Sequence, residues 1–345
     1  MAKAISLYSS GLDSTLATIV IVRQGIEVTA VKFLTHFGCD MADPAAYLDD
    51  YVPHAEQFGF RVKYCHLGEV FLEIVKSPAY GRGKNMNPCV DCRIAMLREA
   101  KKLMALTGAD FLITGEVLWQ RPMSQRRDSF PLIDRAAGVE GIVLRPLTAK
   151  LLKPTIAETN GLVDREKLYG FSGRSRKPQM ALAKEFGLTD YPAPAGGCLL
   201  TDSIYSYRLS ELLRYTPNPS LREVNLLKTG RHFRLSPSIK AIAGRNEKEN
   251  IAIEAQTTDE DITLTVDDVG SPTTLILAQA GQKLEPGDAI VEVAASITAR
   301  YAKTKHDPQV NVSIYKGVNK LIGHVLVKPL DEETLNSLRI EAKSG

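Results

Sequence analysis

The residues Ala4-Ile5-Ser6-Leu7-Tyr8-Ser9-Ser10-Gly11-Leu12-Asp13-Ser14, continued by Thr15-Leu16-Ala17-Thr18-Ile19-Val20, pass from an apolar run through a turn of serine and glycine into a helical pattern. A strand that turns directly into a helix leaves the first backbone N–H groups of that helix without partners. Together with the positive end of the helix dipole, those groups favour an oligophosphate. Gly11 lets the backbone approach a phosphate closely, while Ser9 and Ser14 offer hydroxyls. A carboxylate has no reason to touch phosphate directly, so Asp13 is expected to act through a bridging Mg²⁺. The string also fits an ordinary strand-to-helix turn with a serine cap. Its place on the first strand of a βαβ pattern favours the phosphate site.

Outward from this turn, short apolar strands alternate with helical patterns over residues 1–165. Strands are predicted at 4–8, 28–33, 62–67, 111–114 and 142–144, with helices near 13–24, 44–59 and 90–106. This alternation predicts an α/β fold, a doubly wound parallel sheet with ligands at the carboxyl ends of its strands. Residues 166–218 read as a basic, cysteine-bearing connecting segment with helical patterns at 180–186 and 204–213, ending at Pro217-Asn218-Pro219. Residues 219–345 change to strands at 232–235, 240–243, 262–266, 273–278, 310–314 and 324–327, with a helix at 289–301. That pattern predicts a separate α+β domain.

Ser9-Ser10-Gly11-Leu12-Asp13-Ser14 resembles the pyrophosphatase loop (PP-loop) of the N-type ATP pyrophosphatases, with Ser10 standing where that family has its first glycine. The resemblance implies a Rossmann-like PP-loop fold that binds ATP and Mg²⁺ and cleaves ATP between the α- and β-phosphates. AMP is attached to a carbonyl oxygen and then displaced by a nucleophile. Thr114-Gly115-Glu116-Val117-Leu118-Trp119-Gln120-Arg121-Pro122-Met123-Ser124-Gln125 resembles a segment of the tRNA 4-thiouridine synthetases. It implies that Thr114, Gly115, Glu116, Gln120 and Ser124 join Ser9, Ser10, Gly11, Asp13 and Ser14 around ATP, with Gly115 letting the adenylate approach the backbone. Trp119 occupies a place where that family has a small residue.

Asn87-Pro88-Cys89-Val90-Asp91-Cys92 begins a helical pattern, where the helix N-terminus is expected to lower thiol pKa. Cys198 follows two glycines in Pro194-Ala195-Gly196-Gly197-Cys198. These positions resemble those of the sulfur-inserting tRNA enzymes of the PP-loop family, including the 2-thiouridylases, whose cysteines meet at the mouth of the ATP pocket. Three thiolates from Cys89, Cys92 and Cys198 would hold a [4Fe–4S] cluster with one iron open. Alternatively, Cys92 and Cys198 would carry and resolve a persulfide. A structural zinc with a histidine or Asp91 as fourth ligand is the third possibility. Cys39 and Cys65 lack such spacing and read as bystanders.

Five cysteines in 345 residues are too few for a disulfide scaffold. No apolar run reaches the length of a membrane span, and the start leads straight into a strand, which predicts a cytoplasmic protein without a signal peptide. The net charge is only +3, so an RNA reading must rest on local clusters. Arg121, Arg126 and Arg127 form one; Arg82 and Lys84 another; Arg174, Arg176 and Lys177 a third. Such clusters suit phosphate backbones, although charge runs are usually solvated faces. Gly230-Arg231-His232-Phe233-Arg234 and Ala243-Gly244-Arg245-Asn246-Glu247-Lys248-Glu249-Asn250 resemble the NFACT RNA-binding domain. The combined reading is ATP-dependent tRNA uridine thiolation, with Asp13, Cys92 and Cys198 as catalytic groups. The expected partners are tRNA and a sulfur donor (a cysteine desulfurase, a carrier protein or inorganic sulfide), and a homodimer is allowed. An adenylylating amide ligase or amidotransferase and a non-catalytic RNA-binding protein are the alternatives.

Overall fold

The computed structural model describes residues 1–35, 37, 53–192, 198–279 and 282–341, and the chain divides into two compact units, Met1–Thr201 and Asp202–Gly345. Cys39, Gly196, Gly197 and the part of the predicted helix at 44–52 lie outside the described residues.

In the first unit the chain runs β1 (Lys3–Tyr8), α1 (Leu12–Val22), β2 (Glu27–Leu34), α2 (Pro53–Phe58), β3 (Arg61–His66), α3 (Gly68–Lys76), α4 (Cys89–Thr107), β4 (Phe111–Thr114), α5 (Ser129–Ala137), β5 (Val143–Leu144), α6 (Ile156–Thr159) and α7 (Lys177–Phe186). The strands form one parallel sheet in the order β3-β2-β1-β4-β5. The order reverses between β1 and β4, and this switch point is where an open α/β sheet leaves a crevice at the carboxyl ends of its strands. The doubly wound parallel sheet expected from the sequence is therefore present.

Period-two alternation explains why β1 sits at the centre. Ala4 and Tyr8 join a core shared with α1, Phe111 and Ile113, while Ile5 and Leu7 face a second core shared with α4, Leu112 and Ile133. Ser6, a polar residue in the middle of this strand, is satisfied by a 2.8 Å hydrogen bond to the buried Thr18 hydroxyl on α1. Leu168, Leu182, Ala183, Phe186 and Leu188 belong to the first of these cores, so the segment around α7 is built into the first unit.

The second unit comprises α8 (Ser203–Tyr215), α9 (Leu221–Leu226), β6 (Arg231–Ser236), β7 (Ile239–Ala243), α10 (Glu247–Glu254), β8 (Ile262–Thr265), β9 (Thr274–Ala278), α11 (Ala289–Tyr301), β10 (Val310–Lys316), β11 (Lys320–Val327) and α12 (Glu332–Leu338). Its six-stranded antiparallel sheet has the order β11-β10-β8-β9-β7-β6. The apolar face of α11 (Val291, Ala294, Ala295 and Ala299) packs on Leu264, Ile276, Val312 and Ile314. This is the separate α+β domain anticipated above. No described helix is long and apolar enough to cross a membrane.

Candidate functional site

The turn after β1 is held by its own hydroxyls. Ser14 Oγ donates to Gly11 O at 2.9 Å, accepts from the Ser9 N–H at 3.2 Å and lies 3.1 Å from Ser9 Oγ. The Ser14 hydroxyl thus clamps the loop. The first helical backbone bond of α1 runs from Thr15 N–H to Gly11 O, which leaves the N–H groups of Leu12, Asp13 and Ser14 at the open end of the helix. Ser10 has φ +58°, the left-handed region that a glycine adopts without cost. Gly11 has φ −79°, and a Cβ there would meet only Ser9 Oγ at 3.4 Å. Neither its backbone angle nor its neighbours demand a glycine, so the open space over it remains available to a ligand.

The loop after β4 locks onto this turn. A Cβ on Gly115 would lie 2.5 Å from the Ser14 nitrogen and 2.7 Å from the Asp13 carbonyl carbon. Its glycine character therefore serves contact with the backbone of the first loop, where the sequence suggested approach of an adenylate. Thr114 Oγ1 donates to Glu116 Oε2 at 3.1 Å. Glu116, only 2% exposed, is gripped by Arg145 Nε at 3.1 Å and Arg93 Nε at 3.1 Å. Arg145 in turn forms a bidentate pair with Asp134, at 2.7 and 2.9 Å, and stacks over the Phe130 ring. Neither Arg93 nor Arg145 was singled out in the sequence, since each stands alone between apolar residues.

Asp13 is where the elements converge. Gln120 Nε2 donates to Asp13 Oδ2 at 3.0 Å, while Asp13 Oδ1 is buried without a partner among the described residues. Burial pushes the Asp13 carboxyl above the ordinary range; the Gln120 hydrogen bond, Arg176, Arg121 and Gln179 pull it back. Gln179 and Arg176 come from the start of α7. Gln179 is fully buried with no partner of hydrogen-bond geometry for either amide atom, yet it lies close enough to favour the charged carboxylate. Arg176 Nε is likewise buried and unpaired. The desolvated Asp13 oxygen and the unpaired Gln179 amide oxygen are hard oxygen ligands of the kind Mg²⁺ takes, while the nearby Arg176 guanidinium suits phosphate oxygens. Gln179 escaped sequence reasoning because it reads as one polar residue in an amphipathic helix.

Of the remaining expected residues, Ser124 is buried. Arg121, Arg126, Arg127, Arg174 and Lys177 are exposed, with Arg126 3.3 Å from Asp128. Arg82 is engaged by the carbonyls of Val75 and Lys76, both at 2.9 Å.

The three singled-out thiols approach one another because the 198–201 segment is stitched to the turn before α4. Met86 N–H donates to Leu200 O at 3.1 Å and Asn85 Nδ2 to Thr201 O at 2.8 Å. Cys198 Sγ lies 3.6 Å from Phe37 O. The expectation of a thiolate at the helix start fails for Cys92. Burial pushes its thiol up to about 12, opposed by Arg93 and reinforced by Cys198, Cys89 and Asp91. Desolvation is the largest influence on this thiol, and it outweighs the opposing charge of Arg93. Asp91 accepts the N–H groups of Ala79 and Tyr80 at 2.9 and 3.1 Å, so its carboxylate fastens that turn and is no spare metal ligand. Among the described residues, no three His, Cys, Asp or Glu side chains stand in a metal-holding arrangement.

In the second unit, a concavity of about 720 Å³ is lined by Arg231, Arg300, Lys303, Lys305 and Arg339, against one carboxylate, Glu332. Glu332 pairs with Arg300 at 2.8 Å. Arg231, Lys303 and Lys305 have no carboxylate partner among the described residues.

Residues 1–161 match the family described as thiamine biosynthesis protein (ThiI). They form a ThiI-type PP-loop domain. Residues 230–339 match the NFACT protein RNA binding domain, which covers the sheet and the basic concavity of the second unit. No curated protein matches the chain. Among solved structures, a 4-thiouridine synthetase–RNA complex with bound ATP is 22% identical, covers 54% of this chain at a TM-score of 0.37, and is itself covered over 41% of its length. The chain thus spans well under two thirds of that synthetase. The C-terminal part of the fibronectin/fibrinogen-binding protein from Streptococcus suis is 14% identical over 48% of this chain and 74% of that one, at a TM-score of 0.28. A predicted subunit of tRNA methyltransferase from Methanocaldococcus jannaschii is 14% identical over 54% and 76%, at a TM-score of 0.33. The ThiI-type domain carries Asp13, Gln120 and the Cys89–Cys92 pair; Arg176, Gln179 and Cys198 lie beyond its matched residues.

Proposed function

We propose that the protein thiolates a uridine of tRNA at the expense of ATP. The observation that carries this reading is the convergence on Asp13 of the β1 loop and Gln120 after β4, both within the ThiI-matched residues that also bear the Cys89–Cys92 pair, with the start of α7 joining them from beyond that match. In this mechanism the open N–H groups of α1 and Arg176 receive the β- and γ-phosphates, and Asp13 would hold a Mg²⁺ that offsets phosphate charge. The uridine carbonyl oxygen attacks the α-phosphorus and pyrophosphate leaves, its charge met by Arg176 and Arg121. A sulfur nucleophile then attacks the activated ring carbon, and AMP departs with the former carbonyl oxygen. The target base must leave the RNA stack to reach this crevice.

Sulfur is handled at Cys89, Cys92 and Cys198. A [4Fe–4S] cluster held by the three thiolates would supply an open iron that binds hydrosulfide. Arg93 beside Cys92 is the cation that would favour a thiolate there against the burial that raises its pKa. The basic concavity of the second unit supports tRNA affinity through phosphates. The reading is tested by mass spectrometry of tRNA nucleosides from cells with and without the gene. Loss of one thiolated uridine is expected. An unchanged nucleoside profile, with ATP–pyrophosphate exchange that needs no RNA, would return the protein to the amide-forming ligases.

A further inference from the structure

Trp119 is the single tryptophan of the chain, and it is 49% exposed. Its backbone has φ +65°, the left-handed region that a bulky residue avoids. The conformation is imposed from both sides. Trp119 N–H donates to Gln125 O at 2.7 Å and Gln120 N–H to Val117 O at 3.1 Å. Leu118 is buried, bridges to Ser172, and accepts the Gly173 N–H at 2.8 Å. Glycine would suit this position better on conformational grounds, and core packing does not account for a ring left half in solvent. Among the described residues the indole has no aromatic or guanidinium partner. A strained backbone that displays a large flat ring points to use by a ligand.

The neighbourhood indicates which ligand. The next residue, Gln120, is bonded to Asp13, and Arg121 acts on the same carboxylate. The bridge to Ser172 ties the preceding residue to the segment that carries Arg174, Arg176 and Lys177. Trp119 therefore stands between the adenylylation centre and cations suited to a phosphate backbone. A base drawn out of its stack loses its neighbours' faces, and an exposed indole replaces one of them.

We propose that Trp119 is a stacking platform for an unpaired RNA base entering the site, a role that rests on the tRNA thiolation reading. Because it is the only tryptophan, the intrinsic fluorescence of the full chain reports on this ring alone. Titration with unmodified tRNA is expected to quench that fluorescence and shield the ring from acrylamide, while Mg-ATP alone leaves both unchanged. Trp119→Ala and Trp119→Gly should weaken tRNA binding about 5- to 150-fold, the span that one base–aromatic stack covers, and Trp119→Phe should retain most of it. Trp119→Gly should also hold or raise Tm, since it relieves the left-handed backbone. Quenching by Mg-ATP alone would assign the ring to adenine and overturn the proposal. So would wild-type tRNA affinity in Trp119→Ala, or a fall in Tm on Trp119→Gly that Trp119→Phe repairs without change in binding. If RNA quenches the ring but no thiolated nucleoside forms, the stacking site stands and the thiolation reading fails.

Discussion

Asp13 combines a buried, unpartnered oxygen with a carboxyl raised above its usual range by desolvation. Asp13→Asn keeps the shape and removes the charge. It is expected to lower RNA-dependent ATP–pyrophosphate exchange by about 100-fold or more, on the scale of losing a preorganised charge contact, while filter-bound tRNA is retained. Protons should also compete with Mg²⁺ at a higher pH than for a solvated aspartate, so the apparent Mg²⁺ affinity falls as pH drops into that range. Isothermal titration with Mg-ATP across pH reads this directly. At Cys92 burial pushes the thiol up to about 12. Alkylation by iodoacetamide at pH 8, followed by peptide mass spectrometry, should therefore be slower than for a free thiol. Rapid labelling of Cys92 in the resting protein would contradict the burial described.

At the scale of elements, the two loops at the switch point fit each other through Gly115. Gly115→Ala forces a methyl into the backbone of Asp13 and Ser14, and about 1–3 kcal/mol of destabilisation is expected from such overpacking, measured by urea unfolding. Ser10→Gly acts in the opposite sense and should stabilise by up to about 1 kcal/mol, because Ser10 already holds a left-handed angle. Replacing Arg174 and Lys177 together by Ala should reduce the salt slope of tRNA binding by up to about 0.9 per lost contact on duplex. The strands of both units were legible because their alternation is regular: β4 occurs at Phe111–Thr114 as expected, and α11 at Ala289–Tyr301. α3 and α5 were not, because each is a short amphipathic helix without a side-chain cap. The PP-loop and the cysteine spacing were visible as local strings. Arg93, Arg145 and Gln179 were invisible, since their roles depend on which strands the sheet places side by side.

Across the whole molecule, the two units respond differently to pH. Lys240 on β7 is 4% exposed, and burial lowers its ammonium to about 7, with Arg234 and Arg208 lowering it further and Glu211 and Glu223 opposing. Between about pH 7 and the ordinary lysine value of 10.5, the unfolded chain holds a proton that the folded unit has released. Stability from this residue therefore rises with pH across that window, by at most about 1.4 kcal/mol per unit. Lys240→Met should be more stable than the parent at pH 7, with an advantage that shrinks by pH 9, as followed by thermal melting of both proteins. Cys92 has the opposite sign. Its raised pKa contributes fully at neutral pH and is lost only as pH rises from 9 towards 12.

The pairing of Arg93 with Glu116 makes two distant stretches of sequence inseparable when parts are exchanged between relatives. Arg93 follows Cys92, and Glu116 follows β4 by two residues. A chimera that imports α4 from a donor lacking Arg93 would inherit a buried Glu116 oxygen stripped of its ion-pair partner and would be destabilised. Importing the β4 loop without Glu116 would instead strand Arg145 with Asp134 alone and leave Arg93 beside the thiols with nothing to anchor it. Grafting the start of α4 onto another scaffold of this kind thus requires both stretches to travel together.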